Sequence, residues 1–369
     1  MRILHICQRD DPNTGGSLRV AEALVREQRR TGHDAWILFL YGAAGELFAE
    51  FASNARCLRL HSSRQALQGV VALRREVLSI SPELIHTHDG IHWPRLTYLC
   101  RSVPVVTHAH TPPGTISSFK DRVGWLLNKM TTDRLIGISR HTIETWLEAG
   151  YPPENIPLIP NGVDFDRFKV FDASAKAWLR GQLGLPVDKR IVVWVGRLHR
   201  ETKGTDRIEK MAAALPVDTT LVVVGDGPEY SGMYERNRES IGDGRLIFAG
   251  SMPDPEKYYR ASDAFLFTSY YEAFGLVILE AVASGLPVLA FPVTGGGGGA
   301  ELLKEFEATM LGDDVSPELI AESLVAAFAK SADAERLRRQ AKQRYTWPLI
   351  SERVVKVYEE VLAEWRACR

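Results

Sequence analysis

With 369 residues, of which 45% are hydrophobic and 25% charged, the chain has the composition of a globular protein and is long enough for two domains. Its 45 basic and 46 acidic residues give a formal net charge of −1, which argues against a nucleic-acid-binding protein. The four cysteines lack the paired spacing of a zinc site or a disulfide framework and indicate a reducing compartment. Because the N-terminus lacks a signal-peptide pattern and no apolar run could cross a bilayer, we expect a cytoplasmic protein.

Short apolar runs alternate with stretches of helical periodicity along the first part of the chain. Residues 2–7 predict a buried strand, and Leu18, Ala21, Leu24 and Val25 fall on one face of the helix that should follow. Further strands are predicted over 35–41, 84–87, 104–107 and 134–138. This alternation predicts a parallel sheet with helices on both faces, in a domain over residues 1–170.

A second series of strands and helices begins after Asn161-Gly162. Its predicted strands are 191–195, 220–224, 245–248, 264–268 and 287–291. The polar segment 164–188 suits a connection between domains. We therefore expect a second doubly wound domain over residues 171–346, followed by a terminal helix over 347–369. Neither half has G-x-G-x-x-G after its first strand, which argues against a conventional NAD site.

Ligands of open parallel sheets bind at the carboxyl ends of strands, and an informative motif follows the predicted strand 264–268. There Glu272 precedes a helix that should begin near Gly275, where free N–H groups suit a diphosphate. Glu280 lies roughly 9 Å along that helix, at about 1.5 Å per residue. The two carboxylates are then too far apart to act on one bond, but they fit opposite ends of a long ligand, Glu272 at a sugar and Glu280 at a ribose diol. The alternative is a loop charge and a solvated helix residue.

Two cations and a pair of glycines follow the first predicted strands of the two domains. Arg197 and Lys203 come after the strand 191–195, where they would neutralise a diphosphate leaving group as its charge grows. The alternative is two solvated loop charges. Gly15 and Gly16 stand between the first strand and the first helix, as an anion-binding nest or as a plain turn.

Five of the ten histidines fall close together in the sequence: His86, His88, His92, His108 and His110. Two His-x-His pairs end predicted strands, which puts alternate residues on one face and suits a metal site for hydrolysis, with Asp89 as an oxygen ligand. The alternative is that some of these histidines are core or cleft residues that hydrogen-bond neutral partners. A metal-dependent hydrolase that uses His86, His88, His108 and His110 is therefore a competing hypothesis.

Two segments allow more than one interpretation. The five glycines of 295–299 lack the Lys-Ser/Thr pair of a triphosphate-binding loop, so hydrolysis of a nucleoside triphosphate is not indicated. We expect a flexible loop there, and close approach to a bound sugar is the alternative. Residues 116–130 mix aromatic and aliphatic side chains with Lys and Arg. Such an amphipathic segment would either pack on its own domain or lie on a membrane, at the cytoplasmic face of the inner membrane.

Taken in order, motifs across both halves resemble glycosyltransferase family 4. Besides the glycine pair, the cations and the glutamates above, they are 84–88, 105–110, 138–139, 161–164, 224–228, 248–250, 261–263 and 283–288. The resemblance implies a GT-B fold, in which two doubly wound, Rossmann-like α/β domains face a cleft. It also implies that the first domain binds the acceptor, that the second holds most of a nucleotide-sugar donor, and that the terminal helix crosses back to the first.

The resemblance also assigns roles to single residues. Glu280 is expected at the donor ribose and Glu272 at the donor sugar, while Arg197 and Lys203 hold the diphosphate. Further donor contacts are expected from Gly16, Gly250, Ala273, Phe274, Gly275 and Leu276. Neither a metal ion nor a cofactor is expected, since the cations and the helix N-terminus supply the positive charge.

The function implied by the resemblance is transfer of a sugar, with retention of configuration, to a hydroxyl of a saccharide or lipid-linked acceptor in bacterial glycan synthesis. The cleft histidine would be His110, with His108 as the alternative. A UDP-sugar such as UDP-glucose or UDP-GlcNAc is expected, because Glu272-Ala273 is similar to members that build lipopolysaccharide cores; GDP-mannose is the alternative donor. A sugar-nucleotide-binding protein without catalysis is a third hypothesis.

Overall fold

The computed structural model describes residues 1–11, 16–62, 65–88, 93–99, 102–113, 119–152, 156–313 and 316–368. They divide into two compact units, one of Met1–Asn161 together with Trp347–Arg369 and the other of Gly162–Thr346.

The division between the units falls after Asn161, whereas the sequence placed the domain boundary after residue 170. The difference arises because the segment that follows Asn161 is bound to the second unit. The N–H of Val163 donates to the Tyr345 carbonyl at 2.7 Å, and the Arg338 guanidinium donates to the carbonyls of Phe165 and Phe168 at 3.0 and 2.9 Å.

The described part of the chain contains twelve strands, seventeen α-helices and two short 3₁₀ helices, Ala52–Asn54 and Lys330–Asp333. The strands are β1 (Arg2–Arg9), β2 (Asp34–Tyr41), β3 (Ala55–Leu60), β4 (Leu84–Thr87), β5 (Val105–Ala109), β6 (Arg134–Gly137), β7 (Arg190–Val195), β8 (Thr219–Val224), β9 (Leu246–Gly250), β10 (Ala264–Phe267), β11 (Val288–Ala290) and β12 (Thr309–Met310). The helices are α1 (Gly16–Arg30), α2 (Glu46–Glu50), α3 (Ala66–Ile80), α4 (Trp93–Tyr98), α5 (Phe119–Thr131), α6 (Arg140–Glu148), α7 (Ala173–Leu183), α8 (Arg200–Lys203), α9 (Thr205–Ala214), α10 (Tyr230–Arg236), α11 (Arg238–Gly242), α12 (Glu256–Ala261), α13 (Leu276–Ala283), α14 (Gly299–Glu305), α15 (Pro317–Ala329), α16 (Ala334–Arg344) and α17 (Trp347–Ala367).

The first unit contains a six-stranded parallel sheet in the order β3-β2-β1-β4-β5-β6. Its central strand, β1, is buried on both faces from Ile3 to Cys7, as expected for a strand covered by helices on each side. Ile3 pairs with Ala35 of β2 and with Leu84 of β4. The predicted parallel sheet is therefore confirmed.

Helices α1 and α17 pack together in the first unit. The predicted apolar face of α1 is confirmed, since Leu18, Ala21, Leu24 and Val25 are all buried. α17 buries Val354, Val357, Tyr358 and Val361 at helical spacing, together with Ile350, Ser351 and Leu362. The last helix therefore contributes to the core of the first unit.

The second unit contains another six-stranded parallel sheet, in the order β12-β11-β10-β7-β8-β9. In each sheet the first strand of the unit lies beside the fourth, β1 beside β4 and β7 beside β10, so that successive connections leave in opposite directions. Ligands of doubly wound sheets bind at the carboxyl ends of such a strand pair. The fold therefore directs attention to the segments that follow β7 and β10, and to those that follow β1 and β4.

Helix α5 covers most of the segment that the sequence singled out for membrane contact. Residues 116–118 lie outside the described part of the chain, and on α5 the side chains of Val123, Leu126 and Met130 are exposed. No helix among the described residues has the length and apolar character needed to span a bilayer. Contact of this segment with a membrane surface remains a prediction.

Candidate active site

Lys203 and Glu272 meet at the carboxyl ends of β7 and β10. Lys203 is the last residue of α8, which follows β7, and Glu272 lies in the segment between β10 and α13. The ammonium Nζ donates to the Glu272 Oε2 at 2.6 Å, with side chains 28% and 16% exposed. Because β7 and β10 are neighbours, these two residues, which are distant in sequence, form a partly buried ion pair at the strand ends where ligands bind.

Thr268 ties the two segments of this pair together. Its hydroxyl donates to the Lys203 carbonyl at 2.6 Å and accepts from the Trp194 indole at 2.9 Å. Gly204 follows with φ +62°, and a Cβ there would lie only 2.3 Å from the Thr268 carbonyl oxygen. Only glycine therefore fits between the Lys203 turn and the end of β10. Sequence reasoning missed Thr268, because a single hydroxyl at a strand end has no distinctive spacing.

A buried arginine supports the segment that leads to Glu272. Arg207 donates to the carbonyls of Thr268 and Pro292 at 3.1 and 2.9 Å, and its guanidinium lies 4.0 Å from the centre of the Tyr270 ring. The Tyr270 hydroxyl in turn donates to Asp206 at 2.7 Å. Sequence reasoning missed these residues as well, since α9 offers no motif that marks a buried cation.

The glycine run 295–299 packs against the backbone of the Glu272 segment. The N–H of Gly295 donates to the Tyr270 carbonyl at 2.7 Å, and the N–H of Gly299 to the Glu272 carbonyl at 3.1 Å. Gly297 has φ +125°, and a Cβ there would lie 2.0 Å from the same Glu272 carbonyl oxygen. The expectation of a flexible loop was therefore wrong, because the absence of side chains allows a close backbone approach behind Glu272.

Helix α13 begins beside Glu272, where the sequence predicted it. Gly275 precedes the helix with φ +100°, and the Ile278 N–H donates to the Gly275 carbonyl at 2.9 Å. The Glu272 Cγ lies 3.5 Å from the position of a Cβ on Gly275. Phe274 is buried, while Ala273 and Leu276 are half-buried. The first-turn N–H groups of α13 therefore lie beside the Lys203–Glu272 pair.

Glu280 is an interior residue of α13. Its side chain is buried, and its Oε2 accepts from the Tyr259 hydroxyl at 3.0 Å. The Tyr259 ring packs against Phe168 and Phe265. The alternative of a solvated helix charge is therefore wrong, because the helix face that includes Glu280 is turned into the unit.

Arg197 and Gly250 lie at the same edge of the second sheet. Arg197 follows β7, is exposed, and forms no ion pair with any residue that the structure describes. Gly250 ends β9, and its carbonyl accepts from the Gly225 N–H at 2.8 Å. The structure thus gives both residues positions consistent with ligand contact, and their predicted roles stay predictions.

Gly16 and His110 are the predicted site residues of the first unit. Gly16 is the exposed first residue of α1, whereas Gly15 lies outside the described residues. His110 follows β5 and is half-buried, whereas His108, within the strand, is buried. Because the side chain of His110 is the more exposed of the two, His110 is the better candidate for ligand contact.

Five imidazole rings of the first unit lie against one another in what we call the histidine stack: His5, His86, His88, His108 and His110. Centroids of neighbouring rings are between 4.3 and 5.4 Å apart. His5, His86 and His108 lie on the adjacent strands β1, β4 and β5, and His88 and His110 directly follow β4 and β5. The sequence analysis brought the two His-x-His pairs together only in the hydrolase hypothesis, and it missed His5, because one histidine in an apolar strand has no spacing signal. Asp89 and His92 lie outside the described residues.

Burial lowers the pKa of every member of the stack. The pKa of His5 falls to about 4 through burial, partly offset by its hydrogen bond to Gln28, and that of His110 falls to about 3. Burial first, and neighbouring imidazoles second, hold the pKa values of His86, His88 and His108 well below the ordinary range. All five rings are therefore neutral at pH 7.

Two groups of ring nitrogens in the stack have the spacing of metal ligands. The nitrogens of His5, His86 and His88, and those of His88, His108 and His110, lie within 4.8 Å of one another. Both ring nitrogens of His108 are buried without a hydrogen-bond partner among the described residues. Because neutral imidazole is the form that binds metals, an activity assay on this protein needs a chelator control.

Models of two known families match successive parts of the chain. The one described as Glycosyltransferase Family 4 matches residues 14–167, and the one described as Glycosyl transferases group 1 matches residues 176–344. Both models describe glycosyltransferases, and the first match fits family 4. These matches favour sugar transfer over the competing hypothesis of a metal-dependent hydrolase.

Two related proteins share the name D-inositol 3-phosphate glycosyltransferase. The one from Acidothermus cellulolyticus is 34% identical over 260 residues, which are 63% of this chain and 56% of that protein. The one from Xylanimonas cellulosilytica is 30% identical over 286 residues, which are 72% of this chain and 66% of that protein. The matched part thus spans less than two thirds of the length of either relative.

The fold is similar to that of solved glycosyltransferases. The crystal structure of Anabaena Alr3699/HepE in complex with UDP and glucose superposes with a TM-score of 0.81, covering 97% of this chain and 99% of that one at 21% sequence identity. The predicted fold class, a GT-B protein with two doubly wound Rossmann-like α/β units, is confirmed.

Proposed function

We propose that this protein transfers a sugar from a UDP-sugar, such as UDP-glucose or UDP-GlcNAc, to a hydroxyl of a saccharide or lipid-linked acceptor, with retention of configuration. The observation that supports this most is the Lys203–Glu272 pair beside the N-terminus of α13, at the strand ends where doubly wound sheets bind ligands. The preference for UDP rests on the Anabaena complex with UDP and glucose.

Lys203 and Arg197 bind the diphosphate of the donor in this proposal. An ammonium group has three N–H donors, so Lys203 can keep its bond to Glu272 and still donate to a phosphate oxygen. Arg197 is exposed and adds a second cation after β7. Together with the first-turn N–H groups of α13, these cations stabilise the charge that grows on the departing diphosphate, so the reaction needs no metal ion.

Glu272 binds hydroxyls of the donor sugar. Its carboxylate is oriented by Lys203, and its backbone is held by the glycine run. A double displacement with Glu272 as the nucleophile is the alternative. The ion pair with Lys203 disfavours it, since a carboxylate whose charge is already neutralised is a weaker nucleophile.

The reaction then proceeds on one face of the sugar. The bond from the anomeric carbon to the phosphate oxygen breaks, and the acceptor hydroxyl attacks the resulting oxocarbenium-like centre from the side on which the diphosphate leaves. The new glycosidic bond forms as the acceptor proton moves to the departing phosphate oxygen. The anomeric configuration is therefore retained.

The remaining predicted residues complete the donor site in this proposal. Glu280 binds the ribose and Gly250 passes near the base, while Gly16 and His110 of the first unit contact the diphosphate and the sugar. Ala273, Phe274, Gly275 and Leu276 supply backbone groups at the start of α13. The acceptor is an intermediate of bacterial glycan synthesis. The protein contacts the cytoplasmic face of the inner membrane peripherally, through residues 116–130.

A thermal-shift screen with UDP, GDP, ADP and their sugars, each with and without a chelator, tests the donor class. We expect UDP and one UDP-sugar to raise the melting temperature equally in both conditions. At a ligand concentration a hundred times Kd, binding adds about 2.7 kcal/mol to the free energy of unfolding. The stabilising donor is then incubated with an acceptor panel that includes D-inositol 3-phosphate, and the anomeric configuration of the product is measured by NMR.

Each alternative gives a different result in this screen. Stabilisation by GDP and GDP-mannose in place of UDP would identify a mannosyltransferase of the same fold. No response to any nucleotide, with a melting temperature that falls on chelation, would favour the hydrolase at the histidine stack. Donor binding without transfer or hydrolysis over the whole panel would favour a binding protein.

A further inference from the structure

Four side chains of the first unit form an unbroken chain of hydrogen bonds that ends at His110. Gln28 Oε1 lies 2.8 Å from His5 Nε2, His5 Nδ1 lies 3.0 Å from His88 Nε2, and His88 Nδ1 lies 3.1 Å from His110 Nε2. Gln28, His5 and His88 are buried, whereas His110 is half-buried. We call these four residues the hydrogen-bond chain.

Donors and acceptors must alternate along such a chain. A neutral imidazole has one N–H and one lone pair, so a ring that accepts at one nitrogen donates from the other. If His5 donates its Nε2–H to the Gln28 oxygen, its Nδ1 accepts the Nε2–H of His88. The Nδ1 of His88 then accepts the Nε2–H of His110. The direction of the first bond therefore determines the protonation of the last ring.

The direction of the first bond is determined by Tyr358 on the last helix. The Gln28 amide nitrogen donates to the Tyr358 hydroxyl at 3.3 Å, and that hydroxyl is also hydrogen-bonded to Nδ1 of His86, to which it donates when Nδ1 is the unprotonated nitrogen of that ring. With its nitrogen directed to Tyr358, the Gln28 amide presents its oxygen to His5. To reverse the chain, the amide would have to turn over and every bond from His86 to His110 would have to change direction together.

We infer that Gln28, acting through His5 and His88, fixes the tautomer of His110, so that Nε2 holds the proton and Nδ1 presents a lone pair. His110 then accepts a hydrogen bond from a hydroxyl of the bound sugar and does not donate one. Gln28 and Tyr358 are positioning residues in this account, since they act only through the histidines. The sugar contact rests on the proposed function, whereas the tautomer can be measured without any substrate.

Nitrogen NMR on protein labelled with ¹⁵N-histidine, in the presence of a chelator, tests the tautomer directly. The protonated and unprotonated ring nitrogens of a neutral imidazole have well-separated shifts, and a His110→Gln variant assigns the signals. In the wild-type protein we expect His110 with a protonated Nε2 and an unprotonated Nδ1. A protonated Nδ1 would overturn the inference, whatever the protein transfers.

Two substitutions far from any ligand test whether Gln28 determines that tautomer. Gln28→Leu removes the acceptor for His5, and Tyr358→Phe removes only the hydroxyl that orients the amide, so the second variant keeps the test valid if the first folds poorly. We expect both to give a mixture of His110 tautomers. The matched control is His108→Phe, which alters a ring of the same stack outside the hydrogen-bond chain and leaves the His110 tautomer unchanged. An unmixed wild-type tautomer in both test variants would overturn the role of Gln28.

Kinetics separate this positioning role from a loss of fold. With the donor identified above, we expect Gln28→Leu and Tyr358→Phe to lower kcat by about 3- to 10-fold, the factor of one hydrogen bond, with KM for the donor nearly unchanged. A mixed tautomer with wild-type kcat would overturn the link to the sugar. If the wild-type protein transfers no sugar at all, the proposed function fails, and the NMR result still decides the tautomer.

Discussion

The carboxylate of Glu272 and the ammonium of Lys203 neutralise each other at 2.6 Å in surroundings that are mostly closed to water. When one member of such a pair is removed, the other keeps its charge without a counter-charge, and this costs more than the pair itself contributes. Substitutions here should therefore change ligand binding and turnover differently, depending on which charge remains.

Glu272→Gln and Lys203→Met are expected to have distinct kinetic effects. Glu272→Gln should lower kcat about 100-fold while UDP affinity changes little, because the amide keeps the size but loses the charge that binds the sugar. Lys203→Met should lower both UDP affinity and kcat, because the diphosphate loses a cation. Steady-state kinetics and calorimetric UDP titration measure the two effects.

Lys210→Met is the matched control for Lys203→Met. Lys210 is exposed on α9, seven positions further along the chain, and undergoes the same chemical change. We expect wild-type kinetics from it. If Lys203→Met behaved like Lys210→Met, Lys203 would have no part in diphosphate binding.

The residues of the site differ in how far the sequence could reveal them. Lys203 and Glu272 were predictable because each follows a strand, and the parallel topology brings strand ends together. Thr268 and Arg207 orient them through backbone carbonyls, contacts that leave no trace in sequence spacing. Gln28 could not be predicted from the sequence for another reason. It occupies an ordinary position on α1, and its role arises only from its hydrogen bonds to His5 of β1 and Tyr358 of α17.

At the level of elements, the five-glycine run is a packed backbone surface. Its N–H groups bind the carbonyls of Tyr270, Glu272 and Ala273, and it leads directly into α14. The position of Glu272 therefore depends on a neighbouring segment whose defining property is the absence of side chains.

Gly297→Ala should destabilise the second unit and displace Glu272. A methyl group there would lie 2.0 Å from the Glu272 carbonyl oxygen at a φ of +125°, so we expect a loss of about 1–3 kcal/mol in the free energy of unfolding and a lower kcat. Urea unfolding and steady-state kinetics measure the two effects.

Gly181→Ala serves as the control for glycine replacement itself. Gly181 lies within α7, and a Cβ there meets no atom within 4 Å. Alanine should raise stability by about 0.5–1 kcal/mol through helix propensity and leave kcat unchanged. Equal stability of the Gly297→Ala variant and the wild type would show that the run tolerates side chains.

Among the strands, β3 and β12 were missed by the sequence analysis. β3 pairs on one side only, at the edge of the first sheet, and contains Arg56 and Arg59, which break the apolar pattern of a strand. The Arg56 guanidinium lies over the Trp36 ring, so its charge is accommodated at the rim of the sheet. Charged residues are a common feature of edge strands. β12 is a two-residue strand, too short for any periodicity to show.

At the level of the whole molecule, the two units differ in their response to acid. The histidine stack belongs to the first unit, whereas the second unit contains a single histidine, His199. Burial lowers the pKa values of His5 and His110 to about 4 and about 3, so an unfolded first unit binds more protons than a folded one below pH 6.5. The stabilising effect of the neutral stack is complete above that pH and is lost as the pH falls toward the folded pKa values.

Acidification from pH 6.5 to pH 5 should therefore weaken the first unit selectively. Each of His5 and His110 contributes about 2 kcal/mol to this loss, from 1.36 kcal/mol per pH unit. Hydrogen exchange measured peptide by peptide should show faster opening of the first unit at pH 5 than at pH 7, with the second unit as the internal reference. Parallel changes in both units would contradict the prediction. His61→Asn, at an exposed position, should leave the difference between the units intact.

The packing of α17 against α1 has a consequence for the order in which the protein is made. The second unit is one continuous stretch, Gly162–Thr346, so all its parts leave the ribosome in succession. Most of the first unit precedes it, yet the first unit lacks α17 and Tyr358 until the second unit has been translated. The unit whose synthesis starts first is therefore completed last. The apolar surface of α1 that packs against α17 stays uncovered while the second unit is synthesised.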